Sequence, residues 1–185
     1  MKISTSGLLD ELKDIAEQHL HFAEILSLKS EHELNFRPST DNWSTLECLE
    51  HLNRYGNFYI PEITNRIAAS KTSPKDIFKP GILGNYFAKS MLPKEKLNKM
   101  KTFKTMNPIH SQLNKRVVDE FISRQKQLLE LLEKAHHIDL GKTKTSISIS
   151  KLIKLKLGDT FRFVIYHNVR HIEQIKRILT YKNKI

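Results

Sequence analysis

Two histidines near the carboxyl end of the chain, His167 and His171, are four residues apart. The apolar residues around them recur at helical intervals, and residues four apart on a helix project from the same side. Two imidazoles presented in this way form a pair that can bind a transition metal. Phe163, Val164 and Ile178 share the face of the pair, which indicates that both histidines point into the core.

The same spacing has a second interpretation. Each histidine could be a separate core residue with its own carbonyl or carboxylate partner, because an unpaired buried polar group costs about 1–3 kcal/mol. This interpretation is preferred for an isolated pair, and a third inward histidine reverses the preference because zinc sites use three or four protein ligands. His51 is the best candidate for the third ligand, since Tyr55 and Phe58 share its face of another helix.

Four segments with helical periodicity must position these residues. We predict helices at about residues 7–29, 44–69, 107 or 111–135, and 160–181. The second opens with Ser44 and Glu47 at capping-box spacing, and Pro61 predicts a kink in it. Pro108 suits the first turn of the third helix. The chain is therefore predicted to be all-α, with one four-helix-bundle domain over residues 1–185.

The segments between these helices are predicted to be irregular. Residues 71–109 have no sustained period and several prolines and glycines, and we expect a long connection that either covers a site as a lid or wraps the bundle. Residues 146–150 alternate like a strand, but without a partner they are predicted to be an extended connector. Gly158 and Asp159 are predicted to end that segment and cap the last helix.

The chain is strongly basic, with 31 Lys and Arg residues against 20 Asp and Glu residues and a net charge of +11. Much of the excess lies in two lysine-rich stretches, at residues 89–104 and 142–156. Nucleic-acid surfaces usually add arginines or stacking aromatics, and these stretches have few of either. We therefore expect solvated connections in preference to a nucleic-acid surface.

Cysteine content and hydropathy bear on location. Cys48 is the only cysteine, so an intrachain disulfide is excluded, and the amino terminus lacks the apolar run of a secretion signal. No window approaches the 18 or so apolar residues of a membrane span. We expect a soluble, cytoplasmic protein without a membrane partner.

Two longer motifs contain the candidate ligands. One is Trp43-Ser44-x-x-Glu47-x-x-x-His51, and the other is His167-x-x-x-His171-x-x-Gln174. Together with Leu34, Pro38 and Gly158-Asp159 they resemble the DinB/YfiT-like superfamily of metalloenzymes, and the resemblance covers the chain from end to end. It implies a four-helix bundle of the DinB/YfiT type in which His51, from the second helix, and His167 and His171, from the last, hold the metal.

Three neutral imidazoles would suit a divalent transition metal, with zinc or nickel favoured, and would leave a position for a water or thiol nucleophile. The resemblance implies activities such as those of the members that are transferases or isomerases dependent on low-molecular-weight thiols. We expect a metal-dependent transferase or hydrolase that acts on a small molecule. Glu47, Tyr55, Glu62 and Gln174 are candidates to assist, without an assigned role, although the capping box explains Glu47 fully.

The alternative function is a non-catalytic basic module, or a stress-response partner, whose lysine-rich loops engage nucleic acid or another polyanion. A homodimer also stays open, because apolar faces of helix bundles sometimes dimerise. Cys48 is either a thiolate ligand or a small core residue. The remaining histidines are predicted to lie at the surface: His19, His21, His32, His110, His136 and His137.

Overall fold

The computed structural model describes residues 2–93 and 101–182. Its helices are α1 (Thr5–Ser27), α2 (Glu31–Leu34), α3 (Thr45–Ala68), α4 (Ile82–Met91), α5 (Arg116–Ala135) and α6 (Leu157–Lys182). Four short strands, β1 (Ile3–Ser4), β2 (Ile77–Phe78), β3 (Lys144–Ile147) and β4 (Ser150–Lys156), form two antiparallel pairs, β1 with β2 and β3 with β4. Lys104–Met106 form one turn of 3₁₀ helix.

The four long helices, α1, α3, α5 and α6, form the body of the fold. Helix α5 packs on α1 and α3, and α6 packs on the same two helices. Buried apolar residues fill the space between them in two clusters, one containing Leu12 and Phe161 and the other containing Leu49 and Ile175. The prediction of an all-α fold is confirmed. Within the described residues, no helix is long and apolar enough to cross a membrane.

Helix α3, which carries His51, begins at Thr45, and the predicted capping box of Ser44 and Glu47 is present. The Ser44 hydroxyl accepts a hydrogen bond from the Glu47 amide, and the Glu47 carboxylate accepts one from the Ser44 amide at 2.7 Å. Arg37 forms a two-point ion pair with the buried Glu47 carboxylate, at 2.6 and 2.9 Å. This reciprocal cap satisfies amides that the first helical turn leaves unpaired. Pro61 does not end the helix, which continues to Ala68.

The irregular connection predicted for residues 71–109 is partly wrong, because it contains β2 and α4. Helix α4 packs against α6, and the buried carboxylate of Asp159 on α6 accepts a hydrogen bond from the Gly81 amide at 2.7 Å. A helix of ten residues is marginal in isolation, so this tertiary contact explains a helix that periodicity did not reveal. Residues 94–100 lie outside the described residues. The prediction that their lysines belong to a solvated connection therefore stays a prediction.

The predicted start of the third long helix is also wrong. Helix α5 begins at Arg116, and Pro108 lies before it in a non-helical segment. The backbone of His110 is left-handed, with φ of 63°, and its amide donates a hydrogen bond to Glu47 on α3 at 2.5 Å. This bond holds the segment against α3 in a conformation that cannot join the helix.

Residues 146–150, predicted to be an unpaired connector, belong to the β3–β4 hairpin. Buried Thr145 lies opposite buried Leu155, and the lysines of β4 concealed this strand in the sequence because they indicated a solvated connection. Gly158 and Asp159 lie within the first turn of α6, which begins at Leu157, so they do not precede the helix as predicted.

Candidate metal centre

Helices α3 and α6 bring the three predicted histidines together. His51 comes from α3, and His167 and His171 come from adjacent turns of α6. Their ring centroids form a triangle with sides of 4.6, 4.8 and 5.0 Å, and all three residues are buried. The rings therefore face one another, which is not the arrangement expected of separate core histidines.

The Nε2 atoms converge on one point. The Nε2 atom of His167 lies 3.2 Å from that of His51 and 3.1 Å from that of His171. At a metal–nitrogen distance of about 2.0–2.1 Å, two nitrogens on one cation are about 2.9 Å apart at a right angle and about 3.4 Å apart at a tetrahedral angle. The candidate ligand atoms of all three residues lie within 4.8 Å of one another, so the set is compact enough for one ion.

Hydrogen bonds fix the proton positions on two of the rings. The Nδ1 atom of His51 lies 2.6 Å from the carbonyl oxygen of Met106, and a carbonyl can only accept, so this nitrogen carries the proton. The Nδ1 atom of His171 donates in the same way to Oε1 of Gln174 at 3.0 Å. In both neutral rings the Nε2 atom is therefore a lone-pair donor, as metal ligation requires.

Burial keeps the three rings neutral. It lowers the pKa of His51 to about 4, even though the bond to the Met106 carbonyl acts in the opposite direction. Burial also lowers the pKa values of His167 and His171 well below the ordinary histidine value, and the charge repulsion between neighbouring imidazoles adds to the effect. All three are ready to bind a cation at neutral pH, without first losing a proton.

The lone pairs leave an unsatisfied position that a cation would fill. His51 and His171 both present a lone pair to Nε2 of His167, which has at most one proton to donate. His167 can therefore donate a good hydrogen bond to only one of these two rings. The other Nε2–Nε2 contact has no proton of its own. A cation between the three nitrogens would satisfy all of them, so the donor set of this cluster fits a metal.

Aromatic rings enclose the cluster. Trp43 packs on His51 and His171, with centroid distances of 4.8 and 5.6 Å. Tyr55 meets His51 and His167 at 5.0 and 4.7 Å. Burial raises the pKa of the Tyr55 hydroxyl, so this group stays protonated and can donate a hydrogen bond into the site.

A cavity of about 800 Å³ adjoins the histidines. The three rings form part of its wall, together with Gln174 and Tyr55. Most of the remaining wall comes from α4, from the segment at residues 101–109 and from the tip of the β3–β4 hairpin. Its aromatic lining residues are Trp43, Tyr55, Tyr59, Tyr86, Phe87, Phe103 and Phe163. The segment predicted to be either a lid or a wrapping connection thus contributes to the cavity wall.

The candidate acids from the sequence do not line this cavity. Glu47 is occupied by its cap and by Arg37, and these bonds lower its pKa although burial alone would raise it. Glu62 accepts hydrogen bonds from Arg66 and from the Ser146 amide. Burial raises the pKa of the Cys48 thiol, which favours a core residue over a thiolate ligand. Of the proposed assisting residues, Tyr55 and Gln174 are the two that face the cavity.

Two contributions to the site were missing from the sequence prediction. The carbonyl of Met106 orients His51 although it is 55 residues away in the chain, and no side-chain pattern marks a carbonyl for this role. The sequence motif includes Trp43 without a role, but this residue contacts two of the three histidines. The prediction that His19 lies at the surface is wrong, because it is buried on α1 and only 5 % exposed.

Comparison with known protein families gives a match to the DinB superfamily over residues 12–175. No curated protein and no solved structure matched the chain. The matched range covers most of the sequence and contains the capping box, the three histidines and Gln174. The chain therefore belongs to the DinB superfamily.

Proposed function

We propose that this protein is a metal-dependent enzyme in which His51, His167 and His171 hold one divalent transition metal, with zinc or nickel as the favoured ion. The observation that supports this most strongly is the convergence of three neutral Nε2 atoms in the wall of a large cavity. Three histidines would leave a coordination position open toward that cavity, as in catalytic sites. A cation bound there would lower the pKa of a coordinated water or thiol and so supply a nucleophile near neutral pH.

The chain's own residues would prepare this chemistry. The Met106 carbonyl and Gln174 keep the protons of His51 and His171 on Nδ1, which leaves both Nε2 atoms for ligation. Tyr55 would donate a hydrogen bond from its protonated hydroxyl to an oxygen of the substrate. Trp43 would shield the site from water by covering two of the ligand rings.

The substrate in this proposal is a small molecule. A volume of about 800 Å³ falls within the range of about 300–1,000 Å³ that is typical of small-molecule sites. A low-molecular-weight thiol as the nucleophile would give an S-transferase of the kind found among YfiT-like members, and water would give a hydrolase. The packing of α5 and α6 on both α1 and α3 supports the four-helix-bundle type to which such enzymes belong.

Cobalt(II) offers a spectroscopic test of the open position. Protein loaded with one equivalent of cobalt is titrated separately with cysteine and with azide, and the visible absorption is followed. We expect at least one of them to change the spectrum, because an open position admits an external ligand. A sulfur-to-cobalt absorption band with cysteine would favour the transferase, and a response to azide alone would favour the hydrolase.

A closed structural site would give the opposite result. If cobalt binds but neither compound changes the spectrum, the catalytic proposal is wrong even though the metal site exists. His167→Ala is the control for location, since the variant should not develop the cobalt spectrum at all.

A further inference from the structure

Three exposed apolar side chains lie at the mouth of the cavity. The cavity is lined by Tyr86 of α4, by Phe103, and by Ile149 at the tip of the β3–β4 hairpin. These side chains are nevertheless 67, 54 and 52 % exposed, respectively. A side chain that both lines a cavity and faces solvent lies at its rim. The rim therefore carries three large apolar side chains beside four exposed polar ones, Asp41, Asn42, Lys101 and Asn107.

Three further exposed apolar side chains lie on the elements that form this rim. Ile82 and Leu83 lie one turn before Tyr86 on α4, and Leu152 of β4 is 94 % exposed. Strand β4 contacts α4, which brings the strand that carries Leu152 near this helix. We define the mouth patch as Ile82, Leu83, Tyr86, Phe103, Ile149 and Leu152. Grouped exposed apolar residues mark interaction surfaces, whereas isolated ones are ordinary.

Lysines accompany the mouth patch, and carboxylates are missing from the same segments. Residues 77–93, 101–110 and 141–158 contain nine lysines and no aspartate or glutamate, and so supply nine of the eleven net positive charges of the chain. Asp41, which also lines the cavity, belongs to the loop before α3 and not to these segments. The exposed lysines in the three segments are Lys79, Lys89, Lys101, Lys104, Lys142, Lys144 and Lys154.

The positive charge and the apolar side chains of this face together favour one kind of partner. A second copy of the chain placed on this face would bring two lysine-rich surfaces together, and like charges oppose such a dimer. Nucleic acid would be attracted to the lysines but gains little from aliphatic side chains such as Ile82 and Leu152, since bases stack on aromatic rings. An anionic bilayer accepts both parts, because its headgroups attract lysines and its acyl region takes up apolar side chains.

We infer that the mouth patch and its lysines dock this protein on the surface of an anionic lipid bilayer. Peripheral docking requires no membrane-spanning helix, so it revises the sequence-based expectation of no membrane partner without conflict with the helices described. In the docked orientation the cavity mouth faces the lipid. The inference does not depend on the metal, because no histidine of the cluster belongs to the mouth patch.

Vesicle flotation tests the inference on the full chain. We expect the protein to float with phosphatidylcholine vesicles that contain about one third phosphatidylserine, and not with vesicles of phosphatidylcholine alone, because the lysines require anionic headgroups. Raising the salt from about 0.1 M to 1 M should release it, since the screening length falls from about 10 Å to 3 Å.

Two double variants separate the apolar and charged contributions. Ile82→Ser with Leu152→Ser removes the two most exposed side chains of the mouth patch, which are 96 and 94 % exposed. Lys89→Glu with Lys154→Glu reverses two exposed charges beside them. Each variant should bind anionic vesicles at least about tenfold more weakly. Thermal melting should show that both remain folded, because exposed substitutions rarely unfold a protein.

The matched control carries the same kinds of change elsewhere on the surface. Leu28→Ser alters a residue that is 86 % exposed at the end of α1, and Lys126→Glu with Lys134→Glu reverses two exposed charges on α5. These variants should bind vesicles as the wild type does. Equal losses in the two lysine double variants would show that net charge alone matters, and an equal loss in Leu28→Ser would show that the position of an apolar side chain does not matter. Either result would overturn the docking surface.

Other results would overturn it as well. One is the absence of flotation with anionic vesicles. Another is salt-sensitive retention of a DNA duplex by protein that does not bind vesicles. A third is a concentration-dependent dimer, detected by sedimentation, that disappears with Ile82→Ser and Leu152→Ser while vesicle binding is absent.

Discussion

At the scale of single residues, Gln174 and Met106 have the same task for different histidines. Each accepts a hydrogen bond from the Nδ1 atom of a histidine ring. This bond keeps the proton on Nδ1 and leaves the Nε2 lone pair facing the centre of the cluster. Gln174 is three residues from His171 and belongs to its motif, so the sequence could identify it as a candidate. The Met106 carbonyl reaches His51 through the fold alone, which is why the sequence could not.

Replacing Gln174 should weaken metal binding. We expect Gln174→Ala to lower the affinity for zinc by about 10- to 100-fold, because His171 loses the acceptor that fixes its proton. Competition with a chromophoric chelator measures the affinity. Gln18→Ala, at an exposed position on α1, is the matched control and should leave it unchanged. Equal affinities for wild type and Gln174→Ala would show that the bond does not orient a ligand.

His19 should make folding stability depend on pH independently of the metal site. Burial lowers its pKa to about 3, and the charge of Lys176 contributes further. In the unfolded chain its pKa is about 6.5, so below that pH the unfolded state binds more protons. The free energy of unfolding must therefore fall as the pH drops from about 6.5 toward 3. Between pH 7.5 and 5.0 this one residue should account for a loss of about 2 kcal/mol.

The variant His19→Met removes this titration. Urea denaturation of chelator-treated protein at pH 7.5 and 5.0 should show a smaller loss of stability for His19→Met than for the wild type, by about 2 kcal/mol. His21→Met, two residues along the same helix and exposed, should lose as much as the wild type. Identical pH dependence in all three proteins would refute the assignment of a low pKa to His19.

The wrong prediction that His19 lies at the surface has a physical cause. Helix α1 packs against both α5 and α6, so a wide arc of its surface is covered. A prediction based on one apolar stripe underestimates burial on such a helix. The histidines of α3 and α6 were easier to orient, because bulky apolar residues share their faces.

At the scale of elements, long helices were predictable and the elements around the cavity were not. Helices α1, α3 and α6 have enough turns for their apolar period to be recognised. Helix α4 depends on α6: the Arg162 guanidinium bonds to Asp159 at 3.2 Å and to Asn85 of α4 at 3.1 Å. Arg162 is buried, so these bonds lie within the contact between the two helices.

Gly84 of α4 lies directly against Asp159 of α6, with no room for a side chain between them. A β-carbon at this position would lie 2.5 Å from Oδ2 of Asp159 and 2.6 Å from its Cβ and Cγ atoms. We expect Gly84→Ala to lower the free energy of unfolding by about 1–3 kcal/mol, because α4 must move away from α6. Urea denaturation measures the change.

Gly7→Ala is the matched control for this substitution. Its added β-carbon would meet no atom closer than 3.5 Å, and alanine favours helix over glycine by up to about 1 kcal/mol. The control should be as stable as the wild type or slightly more stable. A similar small gain for Gly84→Ala would mean that α4 is not held in close contact with Asp159.

At the scale of the whole molecule, the sequence predicted the cluster of three histidines better than the cavity. Two motifs identified His51, His167 and His171, because helical spacing and burial are readable from residue types. The cavity walls come mostly from segments without a sustained period, so their arrangement emerges only in the fold. The single domain over residues 1–185, the cytoplasmic location and a homodimer stay predictions. A cytoplasmic location is compatible with docking, since the inner leaflet of a membrane is anionic.

The central claim is that one metal ion binds between three histidines, and elemental analysis of protein purified without added metal tests it most directly. We expect about one equivalent of transition metal, with zinc or nickel predominant, in the wild type and in the exposed-residue control His137→Ala. His51→Ala, His167→Ala and His171→Ala should each retain less than about a tenth of an equivalent. Less than that amount in the wild type, without any rise in melting temperature on addition of zinc or nickel, would contradict the account.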